Sequence, residues 1–547
     1  MKTEISTEKK YLLGLDFGTL SARALLMNAL DGTEVSAAVF EYPHGILSGP
    51  VGADAAYQHP RDYEDALRQT VAEVLEKAGA SPSSVLGIGL DFTASTVLPV
   101  DEEGRPLCER AEFSEDREAF CKLWKHHGAT AEADLITEVA RREGEEWLSV
   151  FGGKVSCEWM MPKLLEVAHR SPAVFAATHR YLEAGDYLVW QMTGVESHNT
   201  CMAGYKGLWC KKSGFPSNAF WEKVDPVLAG VIGTRVCPDV ISSGSLAGYV
   251  SAEGARKFGL AEGTPVAAPV IDAHAALPSA GIVEEGRLML ILGTSACHIL
   301  LDKETRPVPG ICGYVEDGIV PGFTSYEAGQ TSMGDTYAWF VENMVPASYT
   351  REAEEKGETV FALLDRKASA LRVGEGGVLA LDFFNGNRTP YADYGLKGML
   401  VGMTLATRPE EIYRALIEGT AFGTRRILEL YRENGIEIKE VLASGGIAKK
   451  NPFLMQIYAD VCGMPIQVMD SAQAAARGSC LLGALGAGCF PSAEEAARVL
   501  GDRVYATYVP HEENTRAYDG LYGEYVRLGE YFAKENGVMR RLGDVAQ

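Results

Sequence analysis

The stretch Leu12-Leu13-Gly14-Leu15-Asp16-Phe17-Gly18-Thr19-Leu20-Ser21-Ala22-Arg23 reads as an apolar strand running straight into Asp-x-Gly-Thr and a polar turn. A second apolar strand, Ala24-Leu25-Leu26-Met27, follows at once. A strand that ends in an acid and a glycine sets a carboxylate beside bare backbone N–H groups. Glycine carries no Cβ, so a phosphate can come close to such a turn. The Asp16 carboxylate can hold Mg²⁺, directly or through its water shell, because that ion takes oxygen ligands and keeps several waters. The same residues read equally well as a tight hairpin whose Asp satisfies turn amides, since turns are rich in Asp, Gly and Thr.

A second copy shifts the balance. Leu288-Met289-Leu290-Ile291-Leu292-Gly293-Thr294-Ser295 leads into Ala296-Cys297-His298-Ile299-Leu300-Leu301. Two phosphate-sized hairpins, one in each half, predict a duplicated domain with a nucleotide clamped between the halves. Leu292 stands where the first copy has Phe17, and no acid precedes it. A metal would therefore belong to the first loop only.

At 547 residues the chain is too long for one core, so two large domains or more are expected. Its 46% hydrophobic and 23% charged content are those of an ordinary globular protein. No apolar run is long enough to span a bilayer, and Met1 to Lys10 is polar and lacks the apolar core of a signal peptide. The eleven cysteines are scattered without a Cys-x-x-Cys pair, and Cys297 and Cys480 read as buried thiols. That pattern predicts a reducing cytoplasm. A net charge of −23 argues against a nucleic-acid partner, which would need a basic face. His126-His127 lacks metal-ligand spacing and reads as a surface or supporting pair. There is no Walker loop, dinucleotide glycine fingerprint or His-Glu-x-x-His.

Working outward from the first hairpin, Asp31-Gly32 predicts a type I′ turn into a third strand near Glu34–Tyr42. Pro60 opens a helix through Lys77, with Gly79 past its end. Val85-Leu86-Gly87-Ile88-Gly89-Leu90-Asp91-Phe92 is a buried strand. Three meandering strands, a helix and a further strand are the pattern of a ribonuclease-H-like α/β domain. Residues of about 105–245 read as an insertion forming part of a substrate lid. The Gly-, Ala- and Pro-rich run from Ser242 to Ala268 reads as the crossover to the second half. The expected domains are thus 1–268 and 269–547. In the second, Thr407-x-x-Glu410 is a capping box for a helix through Glu433, with Gly435 just beyond it. The strand Val441-Leu442-Ala443-Ser444 meets the turn Gly445-Gly446, and a helix follows Asn451-Pro452. The tail beyond about Asn514 is an amphipathic helix.

Two further segments carry chemistry. Gly445-Gly446, at a strand end, leaves room for a flat base or ribose to lie on backbone, although glycines are common in plain strand-to-helix turns. Val270-Ile271-Asp272-Ala273-His274 delivers Asp272 from a strand end to the start of a helix. The helix dipole favours a carboxylate there. Such a group suits a base that accepts a hydroxyl proton as a phosphate bond develops. An N-cap is the other reading of Asp272, and from local sequence the commoner one.

Asp16-Phe17-Gly18-Thr19, Asp272, Gly293-Thr294-Ser295 and Ser444-Gly445-Gly446-Ile447-Ala448, with Asn451 and Met455-Gln456, resemble in type and order the motifs of the FGGY carbohydrate kinases. These are a branch of the actin-like ATPase fold, and the likeness covers roughly residues 10–510. Longer segments bring it nearest to the branch that phosphorylates L-ribulose. They include Gly87-Ile88-Gly89-Leu90-Asp91-Phe92-Thr93-Ala94-Ser95-Thr96, Gly152-Gly153-Lys154-Val155-Ser156-Cys157-Glu158-Trp159, Ala203-Gly204-Tyr205-Lys206 and Tyr326-Glu327-Ala328-Gly329-Gln330. Ala94-Ser95 stands where glycerol kinases carry Arg-Glu and xylulokinases typically Met-His.

The resemblance implies two ribonuclease-H-like domains with a cleft between them. It implies ATP- and Mg²⁺-dependent phosphorylation of L-ribulose at its terminal hydroxyl, in L-arabinose catabolism. Asp272 would be the base, and Asp16 would hold Mg²⁺ through water. Gly18, Thr19, Ser21, Arg23, Gly293, Thr294, Ser295, Gly445, Gly446 and Asn451 would join Asp16 at the ATP site. Ala94, Ser95, Lys206, Asp272 and Glu327 would meet the sugar. Read without the family, Lys206 is a solvated surface residue and Glu327 a helix N-terminal charge. Another ketopentose or a pentitol as acceptor, or a non-catalytic sugar sensor, are the competing readings, and homo-oligomer formation is left open. Arg477 departs from the Ala-Leu-Gly-Ala-Ala of many relatives and bears on the helix expected beside the nucleotide.

Overall fold

A computed structural model describes residues 10–49 and 52–545. Its first large sheet uses β1 (Tyr11–Phe17), β2 (Ser21–Asn28), β3 (Glu34–Glu41), β4 (Val85–Phe92), β5 (Leu246–Tyr249), β6 (Pro265–Ala267) and β7 (Val270–Ile271). The spatial order is β5-β6-β4-β1-β2-β3, with β7 also paired to β4. The second uses β8 (Arg287–Leu292), β9 (Ala296–Asp302), β10 (Gly313–Glu316), β11 (Thr324–Gln330), β12 (Glu440–Ser444), β13 (Ile466–Met469) and β14 (Val504–Tyr508). Its order is β10-β11-β9-β8-β12-β13-β14. In each sheet a hairpin pairs antiparallel (β1 with β2, β8 with β9), and its first strand pairs parallel with a later one (β4, β12). The duplication read from the two hairpins is therefore a duplication of topology.

Six helices matter for the site: α1 (Pro60–Ala78), α2 (Met160–Arg170), α3 (Thr200–Lys206), α4 (Asp272–Ser279), α5 (Pro409–Glu433) and α6 (Ala474–Gly486). β1 is buried on both faces, and its period of two shows why. Leu13, Leu15 and Phe17 join the core that contains Tyr63, Leu67 and Val71 of α1. Leu12 turns the other way and packs with Ala476, Cys480, Leu481 and Ala484 of α6. Gly14 and Asp16 share the Leu12 face, as Gly87, Gly89 and Asp91 share one face of β4. The glycines are there because α6 lies directly on them. A Cβ on Gly14 would stand 1.9 Å from Ala476 O, and one on Gly89 2.0 Å from Ser479 O. A helix that comes late in the chain thus completes the core under the first sheet.

Several expectations move. The turn after β2 is closed by Asn28 N donating to Thr33 O at 2.9 Å, so it spans four residues rather than the two of a type I′ turn, and only Gly32 within it has positive φ. The box that starts α5 sits one residue later than expected. Glu411 accepts from Arg408 N at 2.7 Å because Pro409 takes the first helical position, where its missing N–H costs nothing. The run Ser242–Ala268 is no loose crossover, since it supplies β5 and β6, and β7 extends the first sheet past residue 268. The insertion carries a five-stranded sheet that also draws on Leu47–Gly49, Gly52–Gln58 and Val97–Val100, all before residue 105. His126 is fully buried. Its Nδ1 accepts from Ala56 N, and its Nε2 donates to Glu166 at 2.8 Å. Cys480 is buried while Cys297 is partly open, and all eleven cysteines are free thiols. Among the described residues no helix is long and apolar enough to cross a membrane.

Candidate active site

Parallel register brings three carboxyl groups to neighbouring strand ends. Asp16 of β1 pairs with Asp91 of β4, Val270 of β7 also pairs with Asp91, and Asp272 follows β7 directly. Asp16 is nearly buried and accepts from Arg23 Nη1 at 3.1 Å. Asp91 is wholly buried and accepts from Ser479 Oγ of α6 at 2.6 Å, while its Oδ1 has no partner. Burial, with the Asp16 charge beside it, pushes the Asp91 carboxyl well above the usual carboxylate range. Asp272 is the first residue of α4, and Ile271 is the cap. Its Oδ1 accepts from Ala273 N at 2.7 Å. Burial and then the Asp16 charge push its pKa up to about 7, against the pull of that amide.

Facing this row are Lys206 and Glu327. α3 is capped by Asn199, whose Oδ1 accepts from Met202 N at 2.8 Å, and Lys206 ends it, where a cation is favoured. Gly204 lets α3 lie on β10, since a Cβ there would stand 2.4 Å from Val315 Cγ1. On β11, Tyr326 and Ala328 point into the second core, so alternation turns Glu327 toward the cleft. Lys206 Nζ lies 3.9 Å from Glu327 Oε2, and His274 Nε2 donates to that oxygen at 3.1 Å. Despite burial, Lys206 and His274 hold the Glu327 carboxyl far below its usual range, and Glu327 in turn raises Lys206.

Ala94, Ser95, Lys206, Asp272 and Glu327 all line one cavity of about 400 Å³, with Thr19 and Ser295 from the two hairpins on its wall. A larger groove of about 730 Å³, lined by Asp101, Glu109 and Arg235 among others, lies in the insertion away from these strand ends. The hairpins differ by a residue: Phe17 pairs with Ala22 across four residues, and Leu292 with Ala296 across three. Gly18 N donates to Ser21 O and Gly293 N to Ser295 O, both at 3.0 Å, so those two amides close their own turns. Thr294 is exposed, and Thr19 Oγ1 accepts from Trp124 Nε1 at 3.0 Å. Gly445 has φ +106 and lies against Leu292 O, at the base of the second hairpin, while Gly446 faces open space. Asn451 is engaged elsewhere. Its Oδ1 caps the next helix through Leu454 N, and its Nδ2 donates to Asp365. Arg477 does not face the second half's strands. It bonds Leu500 O at 2.6 Å and Glu34 of β3, which ties α6 to the first sheet.

The sequence reading missed Asp91 as a member of the acid row, His274 as the partner of Glu327, and Arg388, which lines the same cavity. The repeated spacing Gly14-x-Asp16 and Gly87-x-Gly89-x-Asp91 was a usable signal for the first. Nothing local marks the other two. Glu196, His198 and Cys237 form the one cluster among the described residues with metal-ligand proximity. Burial draws the His198 pKa down, but hydrogen bonds with Cys237 and Glu196 and the Asp186 charge outweigh it and push it up to about 10.

The profile of the FGGY family of carbohydrate kinases, N-terminal domain, matches residues 11–278, and that of the C-terminal domain matches residues 288–487. A ribulokinase of Bacillus licheniformis is 46% identical over 534 residues, 96% of this chain and 97% of its own. One from Geobacillus thermodenitrificans is 44% identical over 546 residues, 98% of this chain and 97% of its own. The crystal structure of xylulose kinase from Rhodospirillum rubrum superposes with a TM-score of 0.81 at 24% identity, covering 96% of this chain and 99% of that one. Plasmodium falciparum glycerol kinase with ADP gives 0.74 at 16% identity, covering 95% and 98%. The last two likenesses are of fold.

Proposed function

The chain belongs to the FGGY family of carbohydrate kinases, and from that premise we propose that it transfers the γ-phosphoryl group of ATP to the terminal hydroxyl of L-ribulose. The observation that carries this reading is the single cavity in which Ala94, Lys206, Asp272 and Glu327 meet residues of both hairpins. A buried polyol needs donors and acceptors at fixed places, because unpaired polar groups are costly. Lys206 supplies donors and Glu327 acceptors, and the small Ala94 leaves room for the carbon chain. Asp272, with its pKa near 7, takes the proton from the attacking hydroxyl as the oxygen–phosphorus bond forms. We assign phosphate contacts to the Thr19 and Thr294 amides, next to the two glycine amides already used, and the adenosine to the open face of Gly446.

Within the acid row the member that suits a hard cation is Asp16, a carboxyl group beside the first hairpin whose oxygen Arg23 already engages at 3.1 Å. Asp16 would hold Mg²⁺, in part through water, and the ion would neutralise charge on the phosphates. Eleven free thiols suit a cytoplasmic enzyme. The test is ADP release with a coupled assay over a panel of pentuloses and pentitols. L-Ribulose should give the highest kcat/KM, and a preference for xylulose or a pentitol would reassign the substrate. Turnover with no sugar in the panel would favour the sensor reading.

A further inference from the structure

Lys163 of α2 is fully buried in the insertion. Its Nζ donates to Ser95 O and to Leu123 O, each at 2.7 Å. Burying an ammonium is costly, and burial draws this one down to about 7. A position that costs so much invites the question of what the two carbonyls do. The first belongs to Ser95, whose φ of +49° is a left-handed conformation that a side chain disfavours. The Ser95 hydroxyl is buried without a partner, so the residue's own side chain does not hold that backbone. The turn is closed beside it by the hydroxyls of Thr93 and Thr96, 2.7 Å apart. Thr93, Ala94 and Ser95 line the cavity. The second carbonyl, of Leu123, precedes Trp124, which lines the same cavity and donates to Thr19 of the first hairpin.

We propose that Lys163 is a positioning residue for phosphoryl transfer: by bridging Ser95 O and Leu123 O it locks the left-handed turn under the sugar to the segment that reaches the phosphate hairpin. Its ammonium touches neither substrate. It sets the distance between the surface that holds the acceptor and the loop that holds the donor. The proposal rests on the sugar-kinase reading, and wild-type turnover in the same assay tests that reading separately.

The experiment compares wild type, Lys163→Met, Ser95→Gly and the double variant, each checked for folding by circular dichroism and calorimetry. Lys163→Met should raise the KM for L-ribulose about tenfold or more and lower kcat, with the KM for ATP within twofold of wild type. Glycine adopts the left-handed conformation without penalty, so the lysine substitution should cost less in the Ser95→Gly background than alone. Should the methionine variant fail to fold, Lys163→Gln, which keeps donors for the carbonyls, replaces it, and the sugar KM should rise to a smaller degree. A folded variant with sugar and ATP constants both at wild-type values overturns the proposal. Equal losses in both backgrounds overturn it too, because they place the effect elsewhere than the turn.

Discussion

At the scale of single residues, the acid row decides the chemistry. Asp272→Asn keeps size and the Ala273 amide contact but removes the base. It should fold and bind ATP while kcat falls by about two to four orders of magnitude. Isothermal titration with an ATP analogue beside steady-state kinetics checks both halves, and near-normal turnover removes Asp272 as the base. The sign of the pH dependence follows from the raised pKa. Asp272 works only when ionised, so kcat/KM for sugar should fall about tenfold per unit below a limb at about pH 7 and level off above it. A cation at Asp16 offsets the second-largest cause of that shift, so saturating Mg²⁺ should move the limb to lower pH. Asp16→Ala should raise the Mg²⁺ concentration needed for half-maximal rate while sugar affinity changes little. An unchanged Mg²⁺ titration would leave Asp16 as a turn residue that pairs with Arg23. Lys206→Met and Glu327→Gln should each weaken sugar binding by one to two decades, the worth of roughly 1.5–3 kcal/mol for a hydrogen bond to a charged group. Calorimetry with sugar alone reads this without turnover. Asp16, Asp272 and the hairpin residues lie inside local patterns, whereas Lys206 and Glu327 were named through the family resemblance alone. His274 and Arg388 act across folds of the chain, and no short motif announces such contacts.

Among the elements, the hairpins and the strands behind them were legible because each is written in a dozen consecutive residues. α6 was not. Its small residues read as a helix beside the nucleotide, whereas Arg477 and Ser479 bond Glu34 and Asp91 of the first sheet. The signal lay in two places at once: glycines alternating on β1 and β4, and small residues on a helix far along the chain. Either alone looks like ordinary backbone economy. The contact predicts a sharp sensitivity. A Cβ on Gly478 would stand 1.7 Å from Ala275 O, a backbone atom of α4 that cannot swing aside. Gly478→Ala should destabilise the protein by at least the 1–3 kcal/mol typical of overpacking, seen as a lower unfolding temperature. Because α4 begins with Asp272, kcat should fall along with stability. A variant that unfolds earlier yet turns over normally would separate α6 packing from the base.

For the whole molecule, two sheets that each bring a hairpin to one cleft should close when both substrates bind. Water can accept a phosphoryl group as a sugar hydroxyl can, so a site completed only with sugar present limits wasteful hydrolysis. β5 and β6 are built into the first sheet, and α6 is wedged onto it. Rotation therefore has to be absorbed where the chain crosses between the sheets: at 280–286, where Gly281 and Gly286 have φ of +73° and +87°, and at 470–473 and 501–503, which lead out to α6 and back. Small-angle scattering should give a smaller radius of gyration with sugar plus a non-hydrolysable ATP analogue than with neither, and sugar-free ATPase activity should be far below kinase activity. An unchanged profile with full sugar-independent hydrolysis would mean a rigid, preformed site. The wedge of α6 also bears on how the polypeptide is made. Gly89 and its packing partner Gly483 are 394 positions apart (483 − 89). At about 5–20 residues per second a ribosome needs roughly 20–80 s to cover that interval. Throughout it the underside of the nascent first sheet, with Leu12, Leu25 and Met27, lacks the segment that will cover it. The amino-terminal half is thus born with an open apolar face, and the last fifth of the message holds its cover.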